Sequence, residues 1–107
     1  MWAAKGNNIE MDEGDWGVAL PISVSVGTTI TASDHFKLDI LDGHNGSVII
    51  SKDYSNISND TIQLALTQAE TAKLKPRSYV WRLAWYQSGT FNCFLVPEAS
   101  FKVGDTA

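Results

Sequence analysis

Residues 79–86 run Tyr79-Val80-Trp81-Arg82-Leu83-Ala84-Trp85-Tyr86, and the alternation within them decides the fold. Tyr79, Trp81, Leu83 and Trp85 fall on one parity and Val80, Arg82, Ala84 and Tyr86 on the other, a period of two that an extended strand converts into two faces. Aromatic and β-branched side chains at this density suit a pleated, half-buried surface. The first face has the bulk to fill a core, so Tyr79, Trp81, Leu83 and Trp85 are assigned to packing. Gln87-Ser88-Gly89-Thr90 supplies turn residues, and Phe91-Asn92-Cys93-Phe94-Leu95-Val96 returns as the partner of a hairpin. Within that strand Cys93 is expected to be a buried, inert thiol. Ser100-Phe101-Lys102-Val103 forms a short last strand.

Upstream of Tyr79, Pro76 ends a stretch in which Thr67 and Glu70 stand at capping-box spacing, and one short helical turn is expected near residues 67–74. Before it Thr61–Leu66 alternates as a strand, and residues 53–60, DYSNISND, form a polar turn. The segment Asp42-Gly43-His44-Asn45-Gly46 joins a strand at Phe36–Leu41 to its partner Ser47–Ser51, because Asp-Gly and Asn-Gly tolerate the positive φ of tight turns. Apolar residues recur at period two through Val18, Leu20, Ile22, Val24 and Val26. Pro21 cannot donate to a ladder, which puts this strand at a sheet edge or a bulge.

Six to eight short strands with no crossover helix indicate an all-β fold. The expected architecture is an antiparallel β-sandwich, immunoglobulin-like without its disulfide, although an antiparallel barrel shares the pattern. Its 107 residues suffice for one core, so residues 1–107 make a single domain, with short tails at 1–6 and 104–107. At 44% hydrophobic and 19% charged residues the composition is that of a globular chain and not a disordered one. The net charge of -4 leaves no broad positive field for phosphates, so no nucleic-acid partner is expected. No apolar run approaches the roughly 20 residues of a membrane span, and Met1–Gly6 lacks the apolar centre of a signal peptide. The expectation is synthesis in a cytoplasm with no membrane partner.

Chemistry-bearing clusters are sparse. Glu10, Asp12, Glu13 and Asp15 surround Gly14 without EF-hand spacing, so they are assigned to a solubilising turn. His35 and His44 flank a strand with Asp34, Asp39 and Asp42 nearby, yet no ligand pair stands at i, i+2 or i, i+4. A single cysteine excludes an intrachain disulfide and a multi-cysteine zinc site. There is no GxSxG, no glycine-rich phosphate loop and no HExxH, so neither an enzyme nor a bound metal or cofactor is expected. Triplets of the form Asn-x-Ser/Thr at Asn45, Asn56 and Asn59 mark polar loops. The aromatic residues remain. Trp2 stands in a polar, glycine-followed segment and is expected to anchor a partner protein, with Trp16 in support. Tyr86 points away from the core face of its strand and completes the candidate docking set, besides offering a foothold for carbohydrate stacking.

The order of these elements resembles small β-sandwich domains of tailed-phage virions, found in head-fibre and capsid-decoration proteins and in baseplate upper proteins. The resemblance runs from Gly14-Asp15-Trp16 through Phe36-Lys37-Leu38-Asp39-Ile40 to Val103. Its most specific part is the passage Leu66-Thr67-x-x-Glu70-Thr71-x-x-Leu74, Pro76, Tyr79, although Arg77 stands where such motifs commonly carry glycine. It implies a virion structural protein, made in the host cytoplasm, that docks on a phage capsid protein or another virion protein. Baseplate upper proteins continue into long helical or receptor-facing regions, and an end at Ala107 favours a decoration or head-fibre protein over a tail or baseplate adaptor. A carbohydrate-binding module that aids host adsorption is a further alternative. An edge strand carrying Pro21 leaves a homo-oligomer open.

Overall fold

A computed structural model of the chain describes residues 3–5, 7–12, 19–27, 29–57 and 60–104. Its elements are β1 (Ala3–Lys5), β2 (Asn8–Asp12), β3 (Leu20–Ser23), β4 (Asp34–Leu41), β5 (Val48–Ser55), β6 (Thr61–Leu64), α1 (Gln68–Thr71), β7 (Arg77–Gln87) and β8 (Thr90–Gly104). Six strands form one sheet in the order β1-β2-β8-β7-β4-β5, and β3 and β6 form a second. The larger sheet sets the last two strands beside the β4–β5 hairpin and faces them with β3 and β6. This is the immunoglobulin-like arrangement, with strands G, F, C and C′ over B and E.

The period-two face of β7 does what its composition demands. Tyr79, Trp81 and Leu83 are buried, and the register opposes Leu38 to Leu83 and Ile40 to Trp81 across β4. Phe101 and Val103 of β8, Ile9 and Met11 of β2, and Ile50 of β5 extend this apolar layer. Leu20, Ile62 and Leu64 close it from the second sheet. Each such side chain contributes about 1.5–3 kcal/mol when fully buried. At the β7–β8 turn Ser88 has φ 51° and Gly89 φ 81°, two consecutive positive values that match the right-handed twist of the flanking strands.

The helical turn between β6 and β7 is a built corner. Thr67 accepts a hydrogen bond from the Glu70 N–H while the Glu70 carboxylate accepts one from the Thr67 N–H, so the capping box is complete. Leu66 and Leu74 on either side are buried. Tyr79 then fixes the entry of β7, its hydroxyl accepting a 2.8 Å hydrogen bond from the Lys75 N–H. A tyrosine near the start of this strand, bonded back to the preceding backbone, is the corner device of this architecture.

Several boundaries differ from the sequence reading. Residues 1–6 and 104–107 are not simply tails, because Ala3–Lys5 forms β1 and Gly104 is the last residue of β8. Part of the expected acidic turn lies in β2, where Ile9 and Met11 alternate inward while Glu10 is exposed. β2 runs parallel to β8, pairing Ile9 with Phe101 and Met11 with Val103, so one parallel pair interrupts an otherwise antiparallel sandwich. Of the strand expected over 18–26, Val18 lies outside the described residues and β3 covers Leu20–Ser23, while β6 ends at Leu64. Conversely, β5 continues through Asp53, Tyr54 and Ser55, which read as a turn, because Tyr54 packs against the core. The two strands expected at 91–96 and 100–103 are one, with register shifts against β7 that absorb Pro97.

The Tyr79 hydroxyl gives a direct test of the corner. Tyr79→Phe leaves the Lys75 N–H without its partner at little change in volume, and should lower stability by about 1–2 kcal/mol. In urea unfolding the midpoint should fall with an unchanged m-value.

Candidate functional site

Trp2 and Trp16 lie outside the described residues, as do Glu13, Gly14 and Asp15. The residue after Trp2, Ala3, opens β1 at one edge of the six-stranded sheet. Tyr86 stands on β7, separated from β1 by β2 and β8. His35 is the second residue of β4 and His44 occupies the following turn, both exposed. Among the described residues no three of His, Cys, Asp and Glu converge as metal ligands.

What the fold assembles instead is an aromatic cluster on the outer face of the larger sheet. Register places Phe91 opposite Tyr86 and Phe94 opposite Ala84. Tyr86 and Phe91 meet edge to face at 5.5 Å between centroids, and Phe91 meets Phe94 likewise at 5.2 Å. Phe91 and Phe94 remain 46% and 42% exposed, making them the conspicuous apolar groups of this surface. The Arg82 guanidinium lies 5.4 Å from the Phe94 ring centroid. Tyr86 was visible in the alternation of β7, whereas the two phenylalanines were not singled out; their signal was the hairpin register itself.

Cys93 is exposed, contrary to the buried thiol expected from its strand context. The physical reason is coverage. Residues 90–94 are exposed on both faces of β8, so this end of the hairpin extends past the layer that the second sheet provides.

On the same outer face Asp39 is buried, with one carboxylate oxygen accepting from Arg82 Nε at 3.1 Å and the other lacking a hydrogen-bond partner. Glu98 fastens the β4–β5 turn, accepting from the Asn45 N–H at 3.0 Å and meeting His44 Nδ1. The Asn45 N–H, together with His44, outweighs partial burial and holds the Glu98 carboxyl below its usual range. At the other end Asp34 accepts from the Thr31 N–H and from Trp85 Nε1, both at 2.9 Å. The Thr31 amide first, and the Trp85 indole second, hold the Asp34 carboxyl below its ordinary value. Burial pushes the Glu70 carboxyl up, but Lys52 Nζ at 2.8 Å and the Thr67 N–H bring it below normal. Burial, reinforced by the charge of Glu70, pushes the Tyr54 hydroxyl up to about 12.

Beside Tyr86, a groove of about 350 Å³ opens between β4, β5 and the β7–β8 turn. Its walls are His35, Phe36, Lys37, Asp53, Tyr86 and Gly89. A second cleft, about 370 Å³, lies between the sheets beside Pro21–Ser25 and is floored by Trp81, Leu83 and Val96. No protein family, curated protein or solved structure matches the chain.

Two measurements follow from these environments. Because the folded Asp34 carboxyl is depressed, its stabilisation is present in full above the unfolded value near about 3.9 and is lost as pH falls through the folded value. The urea midpoint should therefore fall below about pH 4, and Asp34→Asn should lower stability at neutral pH while flattening this acid limb. Cys93 should react with a thiol reagent in the native protein at a rate near that in urea, where a buried thiol would be slowed by the need to unfold.

Proposed function

We propose that the chain is a structural protein of a tailed-phage virion, a capsid decoration or head-fibre protein that docks on the capsid surface and carries out no catalysis. The observation that carries this reading is β1. β1 follows Trp2 directly in the sequence and is hydrogen-bonded to β2 at one edge of the larger sheet. An anchor side chain held next to such an edge gives up less conformational freedom on docking. In this reading Trp2 is the anchor and Trp16 supports it, and Tyr86, the third docking candidate, stands on β7, three strands from β1.

Further support comes from the passage at Leu66–Tyr79 on which the resemblance rests. Its Thr, Glu, Leu and Tyr positions are the capping box, the flanking core residues and the tyrosine corner, so the spacing is tied to one structural unit. Many copies on a symmetric lattice compensate for a modest contact area per copy by avidity.

Quantitative mass spectrometry of separated heads and tails tests the reading. Tens to hundreds of copies per head are expected, a few copies in tails would move the chain to a baseplate adaptor, and absence from both fractions would refute a virion role. With purified heads, Trp2→Ala should weaken binding roughly tenfold or more, the loss typical of an interface anchor, at an unchanged melting temperature. Binding equal to wild type would remove Trp2 from the contact.

A further inference from the structure

We infer that the groove beside Tyr86 is a binding site for a neutral saccharide. Its chemistry begins with Lys37 and Asp53, which stand directly opposite each other on β4 and β5. Lys52, Arg77 and Arg82 each close on a carboxylate. Among the described residues, however, neither Lys37 nor Asp53 has an ion pair or side-chain hydrogen bond. An ammonium only donates and a carboxylate only accepts, so together they present a balanced pair with no net charge. The ligand that satisfies both at once is one whose neighbouring groups donate and accept, as vicinal hydroxyls do. His35, on the third side, adds an imidazole that offers one donor and one acceptor when neutral.

The remaining wall is aromatic. Register sets Tyr86 next to His35 on one side and Phe91 on the other, and the edge-to-face contact with Phe91 braces the ring from behind. A braced ring costs little conformational entropy on binding, and it offers an apolar surface to the C–H face of a pyranose while the hydroxyls reach the polar walls. A groove of about 350 Å³ lies within the size range of small-molecule sites. An apolar protein anchor placed here would desolvate Lys37 and Asp53 without replacing their hydrogen bonds, which disfavours that occupant.

This site lies toward the β5 edge of the sheet and its argument uses neither Trp2 nor Trp16, so the inference stands or falls independently of a virion role. The test is titration of the isotope-labelled full chain, followed by amide NMR, with D-glucose, D-galactose, D-mannose, N-acetyl-D-glucosamine and their linear oligosaccharides. At least one should give saturable shifts confined to residues 35–37, 53 and 86–89. Tyr86→Ala should weaken that binding roughly tenfold, while Tyr86→Phe, which keeps the ring and its Phe91 contact, should retain it. Asp53→Asn and Lys37→Met should each weaken it with the fold intact by the same spectra. Tighter binding of the oligosaccharide than of its monomer identifies a surface polysaccharide as the source, and equal binding a free sugar. Absence of saturable shifts up to on the order of 50 mM, shifts centred on the Pro21–Ser25 cleft, or tighter binding of sialic acid, titrated alongside as a charged control, would overturn the assignment.

Discussion

Trp81 is the constraint on which the two ends of the sequence depend. Its side chain is 2% exposed, it faces Ile40 across β4, and its indole N–H donates a 2.8 Å hydrogen bond to the Asn7 carbonyl. A buried indole must find an acceptor, and the acceptor it finds is in the turn between β1 and β2. That bond helps hold β2 against β8, which in turn brings Ile9 and Met11 over the core. The closing pair, Ile9 with Phe101, joins residues at opposite ends of the chain. Such a contact repays its loop-closure entropy only after the intervening strands are formed, so β2 is expected to dock late in folding.

The two ends of the β4–β7 pair are fastened by different means. At one end the buried Asp34 carboxylate gathers the Thr31 amide and the Trp85 indole, tying the loop before β4 to a core-facing side chain of β7, and Ser88 N–H adds a bond to Ser33 O at 2.9 Å. At the other, Glu98 reaches from β8 across β7 to the turn that follows β4. Both carboxylates rest on backbone amides, and both are correspondingly stabilised in the charged form. Asp39, between them, is less well served, since one of its buried oxygens is unbonded and Arg82 alone offsets its charge. Removing Arg82 would leave that charge uncompensated, which is a heavier penalty than the pair itself is worth.

The layers of the fold were legible in the sequence because parity is a local property. The inner faces of β4 and β7, the Ser88-Gly89 turn and the Thr67–Glu70 cap are each encoded within a few residues. β2 was not legible for the opposite reason. Five residues with two acids carry a weak strand signal, and their placement depends on Phe101 and Val103 some ninety residues away. Asp53–Ser55 was misread because a polar composition was weighed above the single inward Tyr54. Cys93 was misread because alternation gives a face but not its coverage, and the second sheet stops short of residues 90–94. For the candidate surface, Tyr86 was legible and Phe91, Phe94, Lys37 and Asp53 were not, since only pairing across four strands brings them together.

The two end strands of the larger sheet, β1 and β5, are physically unlike, and that difference favours separate uses for their edges. β5 is eight residues long, enough to pair with another strand, but it carries Lys52 and Asp53 near its centre. Antiparallel two-fold pairing centred on Lys52 or on Asp53 sets like charges directly opposite each other, and centring on Ser51 sets Lys52 against Ile50 and Asp53 against Ile49. None of these registers is favourable, so the edge is guarded against copies of itself. β1 has only three residues, too short a ladder to hold a partner by itself, so a contact there must draw on side chains beyond the ladder. A partner that needs a side-chain anchor therefore suits the β1 edge, while the guarded β5 edge keeps the groove beside Tyr86 clear of self-association and open to a small polar ligand.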